Sequence, residues 1–176
     1  MSYESYKGHY FLVNDAPARM MSRELAMWFL GMGVWRKIAF VDAGQRDEAA
    51  QYNQAIKVAL ASNQNHFVFC DSDIRPDMES MVPFWSATAD VVGAKYPTEN
   101  LHAWDDPAVI HGGMWRTRRE VLEALEPPYF EWEFDAEHTH VTKCLCWHFC
   151  DKVRAAGFTV AQAGTAKHEP RTRPSQ

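Results

Sequence analysis

The chain is poor in the features that would place it quickly. Four cysteines among 176 residues are too few for a disulfide framework. Cys70 stands alone and Cys144, Cys146 and Cys150 crowd into one stretch, a usage that fits a reducing, cytoplasmic setting. No apolar run is long enough for a membrane segment: the longest, 25–35, falls short of the roughly 20 residues a spanning helix needs. The opening MSYESYKGHY is polar and predicts no signal peptide. Charge of one sign is scarce, and a net −5 gives no general attraction to nucleic acid or anionic membrane. Basic residues cluster only at 116–119 (RTRR) and in the tail 167–176. Repeats, low-complexity tracts and linkers are missing. What is present, 47% hydrophobic and 23% charged residues, reads as one domain over 1–176 with its core at about 9–168. An aromatic fraction of 13% with seven Trp is enough to line pockets as well as a core.

Apolar periodicity supplies the elements. Residues 10–13 (YFLV) predict a strand that ends at Asn14-Asp15. Met21, Leu25, Trp28, Phe29 and Met32 recur at helical spacing and predict an amphipathic helix stopping near Gly31–Gly33. Residues 38–41 (IAFV) predict a second strand with Asp42 at its tip. A helix over 47–61 follows, with Ile56 and Leu60 inward and Asn53 near their face. Residues 67–70 (FVFC) are apolar without alternation, the pattern of a strand buried on both faces. Strands and helices alternating in this way predict an α/β fold with a mainly parallel central sheet flanked by helices. Each of these strands ends in Asn or Asp, so polar tips gather along one edge.

Beyond Pro76 the pattern predicts a short helix interrupted at Pro83 and a fourth strand at 90–94 leading into Lys95. A strand at 109–115 contains the pair Gly112-Gly113. Adjacent glycines in a strand mark a bulge, or a place where a ligand or another backbone comes close. Thr117 and Glu120 form a capping box ahead of Val121, Leu122 and Leu125. An aromatic, acidic loop occupies 129–142. A helix over 143–156 and a strand at 158–161 complete the order, with His168 in the tail.

The chemistry concentrates in 66–76 (HFVFCDSDIRP). A buried strand that stops at Asp71-Ser72-Asp73 puts two carboxylates, one residue apart, on a turning strand end. Such a pair can hold a hard cation, Mg²⁺ or Mn²⁺, which keeps sites open for phosphate oxygens. The C-terminal edge of a parallel sheet is where open α/β folds bind ligands. An Asx-turn capping the following helix uses the same residues without a ligand.

The ordered set IAFVDAG, YNQAIKVAL, FVFCDSDIRP, DVVGAKYP, HGGMWRTRREVLEAL and WHFCDKVRAAGF, with a late His, resembles the glycosyltransferases of the GT-A fold, close to the family 2 type. The resemblance covers about Tyr10 to His168. It implies a GT-A (Rossmann-like) single domain that transfers a sugar from a nucleotide-sugar donor, expected to be a UDP-sugar, to an acceptor hydroxyl. It also implies dependence on Mn²⁺ or Mg²⁺. By the same resemblance Asp42 meets the nucleotide base, with Asn14 and Asp15 bordering its pocket, and Asn53 lines the nucleotide site. Asp71, Ser72 and Asp73 contact ribose, metal and diphosphate, and His168 is the late metal ligand. Gly112 and Gly113 let the sugar approach the backbone. Lys95 and Arg116 either add positive charge there or are ordinary solvated surface residues. Acceptors open to such an enzyme are a saccharide, a protein or a modified nucleobase in DNA. Their recognition is expected from 129–142 and the loop around Trp104.

One part of the family pattern is missing. Inverting members carry an acidic pair just before the aromatic-Cys helix, and its Asp is the general base; here Leu145 and Cys146 stand there. A loop carboxylate, Asp135 or Glu137 with Glu131 and Glu133 behind them, fills the role in one arrangement. His148 fills it in another, since an imidazole can accept a proton near neutral pH. A retaining enzyme needs no dedicated base. Three rival readings stand beside the enzyme. One is a binding protein for sugar nucleotides that has lost its chemistry. Another is a zinc site built from His138, His140, Cys144, Cys146, His148 and Cys150. The third is a nucleotidyltransferase, although NDAPARMMSR is poor in the glycine such enzymes use around triphosphate.

Overall fold

The apolar run of 67–70 lies near the middle of a seven-stranded sheet. The structure is a computed structural model describing residues 8–14, 21–34, 37–41, 47–96, 106 and 108–168. Its strands are β1 (His9–Asn14), β2 (Ile38–Phe40), β3 (His66–Asp71), β4 (Ile74–Pro76), β5 (Val91–Lys95), β6 (Met114–Arg118) and β9 (Val160–His168). They stand in the order β2-β1-β3-β6-β5-β9-β4, and β7 (Glu133–Phe134) and β8 (Val141–Lys143) form a separate hairpin. β1 pairs in parallel with β2 and β3, and β5 in parallel with β9. β6 is antiparallel to β3 and β5, and β4 to β9. β1, β2, β3, β5 and β9 therefore point one way and only β4 and β6 oppose them, which is the mainly parallel α/β sheet expected.

Helices cover both faces, which explains the unbroken apolar strands. Phe67 and Phe69 of β3 pack with α2 (Glu48–Ala61), α4 (Arg119–Glu123) and α5 (Leu145–Ala155). Val68 and Cys70 face α1 (Arg23–Met32) and α3 (Val82–Ser86). Phe69 stacks on Trp115 with ring centroids 4.0 Å apart, and Phe130 stacks on Phe149 at 4.5 Å. Burying one such ring contributes up to ~3 kcal/mol. α1 has the expected inward stripe Leu25, Trp28, Phe29 and Met32, a Ser22 cap, and Gly33 in the left-handed region (φ 67°) at its end.

Several local expectations change. The inward face of α2 is Ala49, Tyr52, Ala55, Ile56 and Ala59, with Leu60 at its flank. Thr117 is still in β6, where its hydroxyl donates to the Asp90 carbonyl; α4 starts after Arg118 with no side-chain cap, so the capping box does not form. Gly112 and Gly113 form a turn ahead of β6 rather than lying inside a strand. The loop 129–142 contains the β7–β8 hairpin. The final strand extends to His168, because its first half pairs with β5 and its second half with β4. Gly164 (φ 75°) sits between the halves, where a Cβ would lie 2.8 Å from Phe84 Cβ. Among the described residues no helix is long and apolar enough to cross a membrane.

Candidate active site

Two polar strand tips meet side by side: Asn14 of β1 is in register with Asp71 of β3. The turn that follows Asp71 is held by three separate pieces of chain. The Ser72 amide donates to the Asn14 carbonyl (3.1 Å), and the Asp71 amide donates to the Gly113 carbonyl (2.7 Å). The Ser22 amide donates to the Ser72 carbonyl (2.6 Å), while the Ser22 hydroxyl donates to the Ile74 carbonyl (2.7 Å) and accepts from the Leu25 amide. The N-terminus of α1 is thereby tied to the Asp-Ser-Asp turn. Ser72 is buried, and Asp71 and Asp73 are half-buried. β4 then pairs with β9 so that Ile74 lies opposite His168, which brings the backbone of His168 beside the residue that follows Asp73.

The Asp71 carboxylate has a buried hydroxyl against it. Tyr52 lies 3.2 Å from Asp71 Oδ2 and 3.3 Å from Glu48 Oε1. Burial first, then the charges of Asp71 and Glu48, push the tyrosine pKa well above its ordinary value, so the group stays a donor. Asn14 is fully buried, and neither atom of its amide has a hydrogen-bond partner among the described residues. A buried amide left unbonded costs about 1–3 kcal/mol, a cost tolerable where something else supplies the partner. Two carboxylates one residue apart on this turn, with that amide beside them, are a donor set that fits a hard divalent cation and a polar ligand.

No protein-family model matches the sequence, and no curated protein matches it either. Solved structures do. Protein A197 from STIV superimposes with a TM-score of 0.65 at 15% identity, over 94% of this chain and 87% of that one. A Drosophila β1,4-galactosyltransferase 7 mutant, in complex with manganese, UDP-Gal and xylobiose, gives 0.57 at 16% identity, over 96% and 74%. Glucosyl-3-phosphoglycerate synthase from Mycobacterium tuberculosis, with Mn²⁺, UDP and glucosyl-3-phosphoglycerate, gives 0.51 at 16% identity, over 97% and 75%. The chain has the GT-A glycosyltransferase fold. At these identities the likeness establishes the architecture.

Within the GT-A frame the residues singled out from the sequence fall into separate groups. Asn14, Asp71, Ser72 and Asp73 come together at the strand tips. Asp15 and Asp42 lie outside the described residues, as does the Trp104 loop, although the Val41 amide donates to the Val13 carbonyl (2.9 Å) and so aligns the strands that precede them. The side chain of His168 is likewise not among those described. Lys95 is exposed at the end of β5. Around Gly112 and Gly113 the near neighbours are protein: a Cβ on Gly112 would lie 2.4 Å from the Tyr52 hydroxyl oxygen, and one on Gly113 would lie 2.9 Å from Ile74 Cδ1 and the Tyr96 hydroxyl. Asn53 spends its amide on the chain leading to the acidic loop. Its Nδ2 donates to the Ala49 and Phe130 carbonyls (both 2.8 Å), and its Oδ1 accepts from the Tyr129 (2.7 Å) and Phe130 (3.1 Å) amides. Arg116 donates to the Phe84 and Ala87 carbonyls and so ties α3 to β6.

The candidate bases differ in how free they are. Asp135 accepts from the Thr139 amide (2.7 Å) and hydroxyl (2.8 Å), with His140 Nδ1 at 3.1 Å, and these bonds hold its carboxyl below the usual range. It shapes the tip of the hairpin. Glu137 is exposed at the same tip. His148 on α5 has a buried Nδ1 without a partner among the described residues, and its Nε2 is 3.7 Å from Glu131 Oε2. None of the four cysteines is in a disulfide. Burial pushes Cys150 up to about 12, and its sulfur accepts from the Ile110 amide. Cys146 is raised by its hydrogen bond to Cys144 and then by burial. Among the described residues no three His, Cys, Asp or Glu side chains are grouped as metal ligands, so His138, His140 and these cysteines do not form a zinc site there.

Tyr52, Glu48 and Ser22 are the contributors that motif reading misses. A Tyr on the inward face of α2 carries a weak signal, since a buried phenol needs a hydrogen-bond partner. Nothing in the sequence says that the partner is Asp71.

Proposed function

We propose that the chain is a metal-dependent glycosyltransferase that moves a sugar from a UDP-sugar to an acceptor hydroxyl. The observation that carries this reading is the pairing of Asn14 with Asp71 at adjacent strand tips, directly ahead of Asp73, in a GT-A fold. The Drosophila enzyme has been seen with manganese and UDP-Gal, and the mycobacterial one with Mn²⁺ or with Mg²⁺ and UDP. Those complexes support the kind of cofactor and donor proposed here.

In this reading Asp71, Asp73 and His168 hold Mn²⁺ or Mg²⁺, and Asn14, Asp15 and Asp42 border the nucleoside. A bound divalent cation supplies stabilisation of the negative charge that gathers on the diphosphate as it leaves. Ser72 and the Gly112-Gly113 turn fix the backbone under the diphosphate, with Lys95 adding charge at the rim. The acceptor oxygen forms its bond to the anomeric carbon as the bond to the diphosphate breaks, and His148 takes the acceptor proton. His148 is preferred over Asp135 because the Asp135 carboxylate is committed to the hairpin; with Nδ1 buried, the nitrogen that would take the proton is Nε2, beside Glu131. The β7–β8 hairpin and the chain from Tyr129 meet the acceptor, a saccharide, a protein or a modified DNA base.

The test is a thermal-shift panel of nucleotide sugars with and without Mn²⁺, followed by donor hydrolysis for those that bind. A UDP-sugar that raises the melting temperature only with Mn²⁺, and is then turned over, is the expected result. Binding without turnover of any donor would make the chain a sugar-nucleotide binding protein. No stabilisation by any nucleotide would remove the reading.

A further inference from the structure

On the reading of Asp71 as a metal-site carboxylate, we propose that Tyr52 is its positioning residue: the buried hydroxyl, seated on the bare backbone of Gly112, fixes how Asp71 faces a divalent cation. Three observations converge on it. The hydroxyl is within hydrogen-bond distance of Asp71 Oδ2 (3.2 Å) and, on the other side, of Glu48 Oε1 (3.3 Å). The ring is held in place, since Tyr52 is 2% exposed and its centroid is 5.0 Å from that of Phe130. The space exists only because residue 112 has no side chain; a Cβ there would stand 2.4 Å from the hydroxyl oxygen and 2.5 Å from Cζ.

One short turn therefore does two jobs. Gly113 fixes the main chain of Asp71 through its carbonyl (2.7 Å). Gly112 makes room for the hydroxyl that fixes the side chain. A tyrosine has one proton to give, and here two carboxylates face it. Glu48 therefore competes with Asp71 for the same donor and ties the first turn of α2 to the strand tip. Contact at Oδ2 restricts how the Asp71 carboxylate can turn. Hydrogen bonds of this kind to ligating carboxylates commonly alter metal affinity by about 10- to 100-fold when removed.

The experiment measures Mn²⁺ binding to the full chain in the presence of UDP, by calorimetry or by the electron paramagnetic resonance of free Mn²⁺. Wild type is compared with Tyr52→Phe, Gly112→Ala and Asp71→Asn. Tyr52→Phe keeps the ring and removes only the hydroxyl. It is expected to weaken Mn²⁺ binding about tenfold or more with little change in melting temperature. In turnover assays the Mn²⁺ concentration for half-maximal rate should rise by more than kcat falls. Gly112→Ala, which keeps the hydroxyl but displaces it, should shift Mn²⁺ affinity the same way and serves if Tyr52→Phe does not fold. If Tyr52→Phe and Gly112→Ala bind Mn²⁺ as tightly as wild type while Asp71→Asn loses it, the positioning role is wrong and the metal reading stands. If wild type itself binds no Mn²⁺ with UDP, both fall together.

Discussion

Asn14 occupies an unusual place for an amide: fully buried, at the end of a strand, with both polar atoms unbonded among the described residues. A buried polar group left unbonded costs stability and calls for an explanation, of which a bound ligand, ion or water is one. Asn14→Ala is therefore expected to leave the fold as stable as wild type, or up to about 1 kcal/mol more stable, while weakening UDP affinity about tenfold. Denaturant unfolding and UDP titration check the two halves, and a large loss of stability without loss of binding would assign Asn14 to the scaffold. The placement of Asp71 and Asp73 on a strand-end turn was legible at this scale, because two carboxylates ending an apolar strand stand out. Tyr52 was not, since a tyrosine among Ala55, Ile56 and Ala59 looks like core. Arg116 misled in the other direction: a basic residue expected to add charge to the site is spent on the carbonyls of α3, with its guanidinium 5.6 Å from the Phe84 ring centroid.

At the scale of elements, β1, β3 and α1 follow directly from their apolar spacing, while β9 and the short pieces joined by side chains do not. β7 and β8 are two and three residues long and carry charge. They form because the tip between them is closed by Asp135 and Thr139, an arrangement with no periodicity to read. The start of α4 is similar, since sheet pairing keeps Thr117 in β6. Asp90 shows what such joints contribute. Its carboxylate accepts from the Thr159 amide (2.8 Å) and hydroxyl (2.7 Å) and meets Arg118, clamping the starts of β5 and β9 to the end of β6. The Thr159 amide is the main cause of its lowered pKa, helped by the Thr159 hydroxyl and Arg118 and opposed by burial. A depressed folded pKa gives stability that is present above the unfolded value of about 3.9 and is lost as pH falls through the folded one. Asp90→Asn should thus lower stability at neutral pH by roughly 1–2 kcal/mol, with the gap to wild type closing below about pH 4. A gap that persists unchanged at low pH would mean that the carboxylate charge is not what holds this joint.

For the whole molecule, the alternation of strands and helices up to β3 was enough to predict a parallel α/β sheet with polar tips on one edge. The second half was not readable in the same way. β6 inserts antiparallel between β3 and β5, and β9 changes partner midway to take up β4. That pairing returns the end of β9 to the Asp-Ser-Asp turn, a long-range contact with no local signal, and it puts the backbone of the late histidine near the site. Everything proposed for the chain depends on what this edge binds. The most direct measurement is an anomalous difference map at the manganese edge from crystals soaked in Mn²⁺ and UDP. One manganese peak between the carboxylates of Asp71 and Asp73, with the diphosphate upon it, is expected. A map with UDP bound and no peak there, or with those carboxylates turned away to cap the following chain, would rule out a metal site at this turn.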